Sequence, residues 1–170
     1  MPFAVVHYPE TDLGPINQLR SKYDPRFYLI EPHITLIFPF ADSFGESTLV
    51  CHVEDVLEDK SPFQIRLRGL QRSGDDYLFL LIEEGEEEVR SLHMALYTGI
   101  LAPHHRSELP YVPHLTLGAF SGAIDRYPKA LKEAMTLELD SRSQFDRAHI
   151  IKVNEAKTRI VWSRECLLGG

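Results

Sequence analysis

Cysteine is scarce: Cys51 and Cys166 are the only two in a chain of 170 residues. That excludes a disulfide framework and a Cys-rich zinc site. No apolar run approaches the roughly 18 residues that a membrane helix needs. Met1–Glu10 lacks the basic region and long apolar core of a secretory signal. A reduced, cytoplasmic setting without a membrane partner is therefore expected. Positive charge is also in short supply. The net charge of −7 argues against a broad basic surface for long nucleic acid, but not against a small phosphorylated ligand in a local pocket. There is no His-Glu-x-x-His, no Cys-x-x-Cys and no carboxylate cluster at ligand spacing, so neither a metal nor another cofactor is expected. No Pro/Gly/Ser-rich linker divides the chain, which reads as one domain over residues 1–170.

Against these absences stand two near copies of one pentapeptide. They are Pro32-His33-Ile34-Thr35-Leu36 and Pro113-His114-Leu115-Thr116-Leu117. A single His-x-Thr is unremarkable. Two, each preceded by Pro and followed by Leu, form a pattern. Side chains alternate across a strand, so His33 and Thr35 share one face, and Ile34 and Leu36 share the other. The same holds for His114 and Thr116 against Leu115 and Leu117. Each strand offers an imidazole and a hydroxyl on one face and an apolar anchor on the other. Brought together, the two make a cleft suited to proton transfer around a phosphate.

Along the chain, Phe3–Val6 reads as a first strand. Leu13, Ile16, Leu19 and Tyr23 recur at helical spacing, with Pro15 in the first turn. Ser43 and Glu46 make a capping box before a helix carrying Leu49, Val50, Val53, Val56 and Leu57. Phe63, Ile65 and Leu67 alternate as in a half-exposed strand, and a turn at Ser73–Asp76 joins it to a strand from Tyr77 to Ile82. Glu83, Glu84, Glu86, Glu87 and Glu88 hold the acidic excess and read as a solvated helix start, where the macrodipole favours carboxylates. Val89, Leu92, Leu96 and Ile100 follow on one helical face. Residues 102–113 read as a loop. Tyr127, Leu131 and Ala134 mark a fourth helix. A hairpin of Phe145–Val153 and Thr158–Leu168 closes the chain.

This order repeats. Helix, motif strand, helix and two strands occur over about residues 12–83, and again over about 86–168. From His33 to Phe63 is 30 residues and from His114 to Phe145 is 31; from His33 to Tyr77 and from His114 to Thr158 is 44 in both cases. The expected fold is α+β: two lobes related by a pseudo-two-fold axis, with two antiparallel sheets flanking a central cleft and helices outside.

The paired motifs, 81 residues apart, resemble those of the 2H phosphoesterase superfamily, which includes 2′-5′ RNA ligases and 2′,3′-cyclic nucleotide phosphodiesterases. The order of elements matches over nearly the whole chain. The resemblance implies hydrolysis or transfer at a phosphodiester without a metal, on a small nucleotide or RNA terminus; a monomer is expected. His33 and His114 would be the catalytic pair, and Thr35 and Thr116 would hold the phosphate oxygens. By that analogy His33 is the acid for the leaving ribose oxygen and His114 the base for water, and a 2′,3′-cyclic phosphate yields a 2′-phosphate. With an ordinary pKa near 6.5, imidazole serves either role at neutral pH, and a bell-shaped pH profile is expected. Two other readings stand beside it: a nucleotide-binding module of the same fold without turnover, and a 2′-5′ RNA ligase. The ligase reading needs a basic rim that the scattered Arg and Lys do not suggest.

Other residues read as structural. His104, His105 and Arg106 form an exposed loop cluster. Tyr111, Phe38, Phe40 and Phe120 flank the motifs; one could stack on a base, but each is more simply core. His7, His52, His93 and His149 have ordinary roles within elements, and Trp162 is core.

Overall fold

A computed structural model describes residues 1–41 and 44–170. Its strands are β1 (Phe3–His7), β2 (Ile34–Phe40), β3 (Phe63–Arg72), β4 (Tyr77–Glu84), β5 (His114–Ala119), β6 (Asp140–Phe145), β7 (Arg147–Val153) and β8 (Ile160–Leu167). The helices are α1 (Gly14–Tyr23), α2 (Glu46–Leu57), α3 (Glu86–Leu96) and α4 (Tyr127–Thr136). Ser43, and with it the expected capping box, lies outside the described residues; Gly45, with extended backbone, occupies the N-cap of α2.

The fold is α+β, as expected, but the strands form one curled antiparallel sheet in place of two. Its order is β6-β3-β4-β5-β2-β1-β7-β8. The two four-strand halves meet where β2 pairs with β5, and the assigned pairing there is the single register Ile34↔Leu115. Two sheets would have required the motif strands to stand apart. Here they touch, and the ladder runs through.

A second correction concerns β6. No strand is expected from sequence before Phe145, yet Asp140–Phe145 pairs with β3 along its length, from Phe63↔Phe145 to Arg68↔Asp140. Of its six residues only Ser143 and Phe145 are buried. It is an edge strand, and its polar side chains hold ion pairs, Arg66–Asp140 at 2.7 Å and Arg142–Glu84 at 2.6 Å. Such strands carry little apolar alternation. The acidic run divides accordingly. Glu83 and Glu84 end β4 in ion pairs with Arg66, Arg68 and Arg142, while Glu86, Glu87 and Glu88 occupy the first turn of α3 as expected.

All four helices cover one face of the sheet. Ile34, Leu36, Leu115 and Leu117 are at most 1% exposed within that core, beside Leu19, Leu49, Leu92 and Ala130 from the helices. Burying each such aliphatic chain is worth about 1.5–3 kcal/mol. Gly118 lets α1 approach β5 closely, because a Cβ there would lie 2.8 Å from the Cβ of Tyr23. α3 stops at Leu96, short of the expected Ile100, and a 3-10 turn over Gly99–His104 follows. Thr98 is already extended (φ −110°, ψ 177°), so the chain leaves the helix before the left-handed Gly99 (φ +51°) opens that turn. No helix among the described residues is long and apolar enough to cross a membrane.

Candidate active site

The two motifs alternate as their sequence requires. Ile34, Leu36, Leu115 and Leu117 face the helices, and His33, Thr35, His114 and Thr116 are half-buried on the opposite face. The register between β2 and β5 relates them. Antiparallel strands with Ile34 opposite Leu115 set His33 across from Thr116 and Thr35 across from His114. Each imidazole thus stands beside the hydroxyl-bearing residue of the other motif.

Both rings are held in the same way. His33 Nδ1 lies 2.8 Å from the Glu31 carbonyl oxygen, and His114 Nδ1 lies 2.6 Å from that of Val112. A carbonyl only accepts, so Nδ1 is the protonated nitrogen and donates in each case. In both motifs the accepting residue precedes a proline, which confines it to extended backbone and aims its carbonyl forward. The neutral rings therefore keep Nε2 as the remaining acceptor.

The rings differ in their neighbours. His114 stacks on Phe79, with centroids 3.4 Å apart and planes 17° apart. Phe79 is the register partner of Thr116 on β4. Tyr8 stands edge-on to His33 at 6.5 Å and to His149 at 4.9 Å. Neither Phe79 nor Tyr8 stood out in the sequence. Period-two extension from Val6, the partner of Thr35, would have put Tyr8 on the motif face. Buried Arg20 holds the chain that leads into His33, through Asp24 Oδ2 at 2.9 Å and the Ile30 carbonyl at 2.8 Å.

Burial pushes both motif imidazoles from the ordinary 6.5 down to about 4. For His33 the Glu31 carbonyl opposes the shift, while the Arg20 guanidinium and His114 add to it. For His114 the Val112 carbonyl opposes it. Both imidazoles are thus held below the ordinary value, with burial the largest cause in each.

The remaining candidates lie elsewhere. His104 packs on Phe40 at 4.7 Å and His105 on Tyr97 at 5.0 Å, so the pair is half-buried where an exposed cluster was expected; Arg106 is exposed beside Glu108. Phe40 and Phe120 are core. Phe38 packs edge-on to His93 and Tyr111, and the Tyr111 hydroxyl donates to the Thr35 carbonyl at 2.8 Å. His7 is buried against Phe145, and His52 Nε2 lies 3.0 Å from the Leu96 carbonyl. Trp162 packs partly buried on the core. Among the described residues, no three His, Cys, Asp or Glu side chains converge as a metal site.

Comparison with known proteins bears on the family and the fold. Residues 8–157 match the model of the 2′-5′ RNA ligase superfamily. A provisionally named phosphoesterase of Bacillus licheniformis is 28% identical over 154 residues, covering 89% of either chain. Another, from Geobacillus sp. WCH70, is 30% identical over 122 residues, or 69% of either chain. A crystal structure from Thermus thermophilus superposes with TM-score 0.63 at 14% identity, over 100% of this chain and 99% of that one. E. coli LigT complexed with 3′-AMP superposes with TM-score 0.58 at 13% identity, over 99% and 96%. With a family match over most of its length and the fold in common, the chain belongs to the 2′-5′ RNA ligase superfamily.

Proposed function

We propose that this protein is a phosphoesterase that opens a 2′,3′-cyclic phosphate, on a nucleotide or an RNA end, to a 2′-phosphate by two-histidine acid–base catalysis without a metal. The observation that carries the reading is the β2–β5 register together with the matched Nδ1 ties. Two imidazoles with acceptor Nε2 atoms share one face of the sheet, with a threonine of the other motif beside each. Water adds to phosphorus as His114 Nε2 takes its proton. The P–O3′ bond breaks as His33 Nε2–H protonates the leaving oxygen. Thr35 and Thr116 hydroxyls donate to the non-bridging oxygens, where charge accumulates. The next turnover requires only that the proton pass from one imidazole to the other through solvent. The nucleotides bound in the LigT structures, 3′-AMP and ATP, support a nucleotide ligand.

The test is turnover of 2′,3′-cyclic AMP in the presence of EDTA by wild type, His33→Ala and His114→Ala, with the product read by phosphorus NMR. Each substitution is expected to lower kcat by at least about 100-fold, and the wild-type product to be the 2′-phosphate. Activity surviving both substitutions would sink the mechanism. Binding without turnover by wild type would point to a nucleotide-binding module.

A further inference from the structure

β2 and β5 share one assigned register pair and then part company: β2 continues along β1, and β5 along β4. The sheet ladder alone leaves the two motif strands weakly tied. Yet an in-line displacement needs both imidazoles placed about one phosphorus at once. What else joins the strands is a polar stack beside β2.

Tyr111 lies three residues before His114 on the chain that enters β5. Its hydroxyl crosses to β2 and donates to the Thr35 carbonyl at 2.8 Å. Its ring lies flat on His93, with centroids 3.6 Å and planes 4° apart. His93, at 3% exposure, in turn directs Nδ1 to the Leu36 carbonyl at 2.7 Å. The Tyr111 carbonyl accepts from Arg90, which α3 holds against Glu86. Two consecutive motif carbonyls on β2 are thus bound to one stacked pair of side chains, and one of that pair belongs to the segment that carries the second motif. Burial also raises the Tyr111 phenol above its usual range, so it stays a donor throughout the working pH range.

We infer that Tyr111 is a positioning residue that fixes the separation of the two His-x-Thr strands. The inference rests on the phosphoesterase reading for its effect on rate, but not for its effect on the strands. Tyr111 is set back from the reacting atoms and acts through the Thr35 carbonyl.

The test is Tyr111→Phe, which keeps the ring on His93 and removes the O–H. For 2′,3′-cyclic AMP, kcat is expected to fall by about 10- to 100-fold, with KM within about threefold, because ground-state binding survives small displacements better than in-line alignment does. Amide hydrogen exchange across residues 33–36 and 114–117 should quicken by about tenfold, while the β3–β6 ladder is unchanged. The melting midpoint should drop by no more than about 4 °C. Tyr97→Phe removes a hydroxyl that accepts from Phe38 N–H farther along β2; its kcat should stay within about twofold. A wild-type kcat in Tyr111→Phe, or exchange quickened evenly through the sheet, overturns the inference. A wild type that turns over no cyclic phosphate sinks the phosphoesterase reading alone, and the exchange comparison still decides the role of Tyr111.

Discussion

An anion beside the motif imidazoles should restore the proton that burial removes. In the free protein both motif imidazoles sit at about 4, so at neutral pH both are neutral and neither is an acid. A phosphate oxygen hydrogen-bonded to Nε2 brings a negative charge within about 4 Å of the ring. At an effective dielectric constant of about 20, that attraction is about 4 kcal/mol. At 1.36 kcal/mol per pKa unit it corresponds to roughly three units, enough to lift one imidazole from about 4 to about 7. Only one rises fully, since the first positive ring opposes the second, and the two values belong to the pair. The sign is fixed: the anion stabilises the protonated form, so binding takes up a proton at any pH between the free and bound values. Two-dimensional NMR of the imidazole Cε1–H groups, titrated with and without saturating 2′-AMP, measures this. Calorimetry at pH about 5.5 in buffers of different ionisation enthalpy should show uptake approaching one proton. The pH optimum of kcat should accordingly lie above that of kcat/KM. If neither His33 nor His114 moves by half a unit on saturation, phosphate is not held against these rings and the reasoning fails.

Two further outcomes follow from the fold. Burial depresses the folded pKa of His7 from 6.5 to about 4 at 1% exposure, so the unfolded chain binds the extra proton between those values; stability should be intact above pH about 6.5 and fall by up to about 3 kcal/mol as pH drops toward 4, with His33 and His114 acting in the same direction, as measured by urea unfolding across that range. Gly85 adopts φ +84°, and a Cβ there would lie 2.7 Å from the Gln64 carbonyl oxygen; Gly85→Ala should cost at least about 2 kcal/mol, whereas Gly74→Ala, with nothing within 4 Å of its Cβ, should change stability by under about 0.5 kcal/mol.

Much of the fold is legible because its strands and helices carry their own periods. Phe63 and Tyr77 open β3 and β4 as read, and Tyr127 opens α4. β6 was hidden because its outward side chains are Asp, Ser, Arg and Gln, which an edge strand tolerates and an alternation test rejects. Tyr111 and His93 read as core or ordinary positions. Their bonds to the Thr35 and Leu36 carbonyls join residues 76 and 57 positions apart, and no local pattern encodes such a meeting. His104 and His105 looked exposed because the 3-10 turn that folds them onto Phe40 and Tyr97 has no strong sequence signature.

Which way each motif faces, and how each imidazole is tied, are properties of the local chain. They follow from period-two alternation and from the restriction that proline imposes on the residue before it, and both act within five residues. That the motifs meet, in which register, and at what pKa, depends on the folded sheet. An 81-residue separation is closed only by the strands between them, and desolvation of an imidazole depends on what packs around it rather than on its neighbours in the chain.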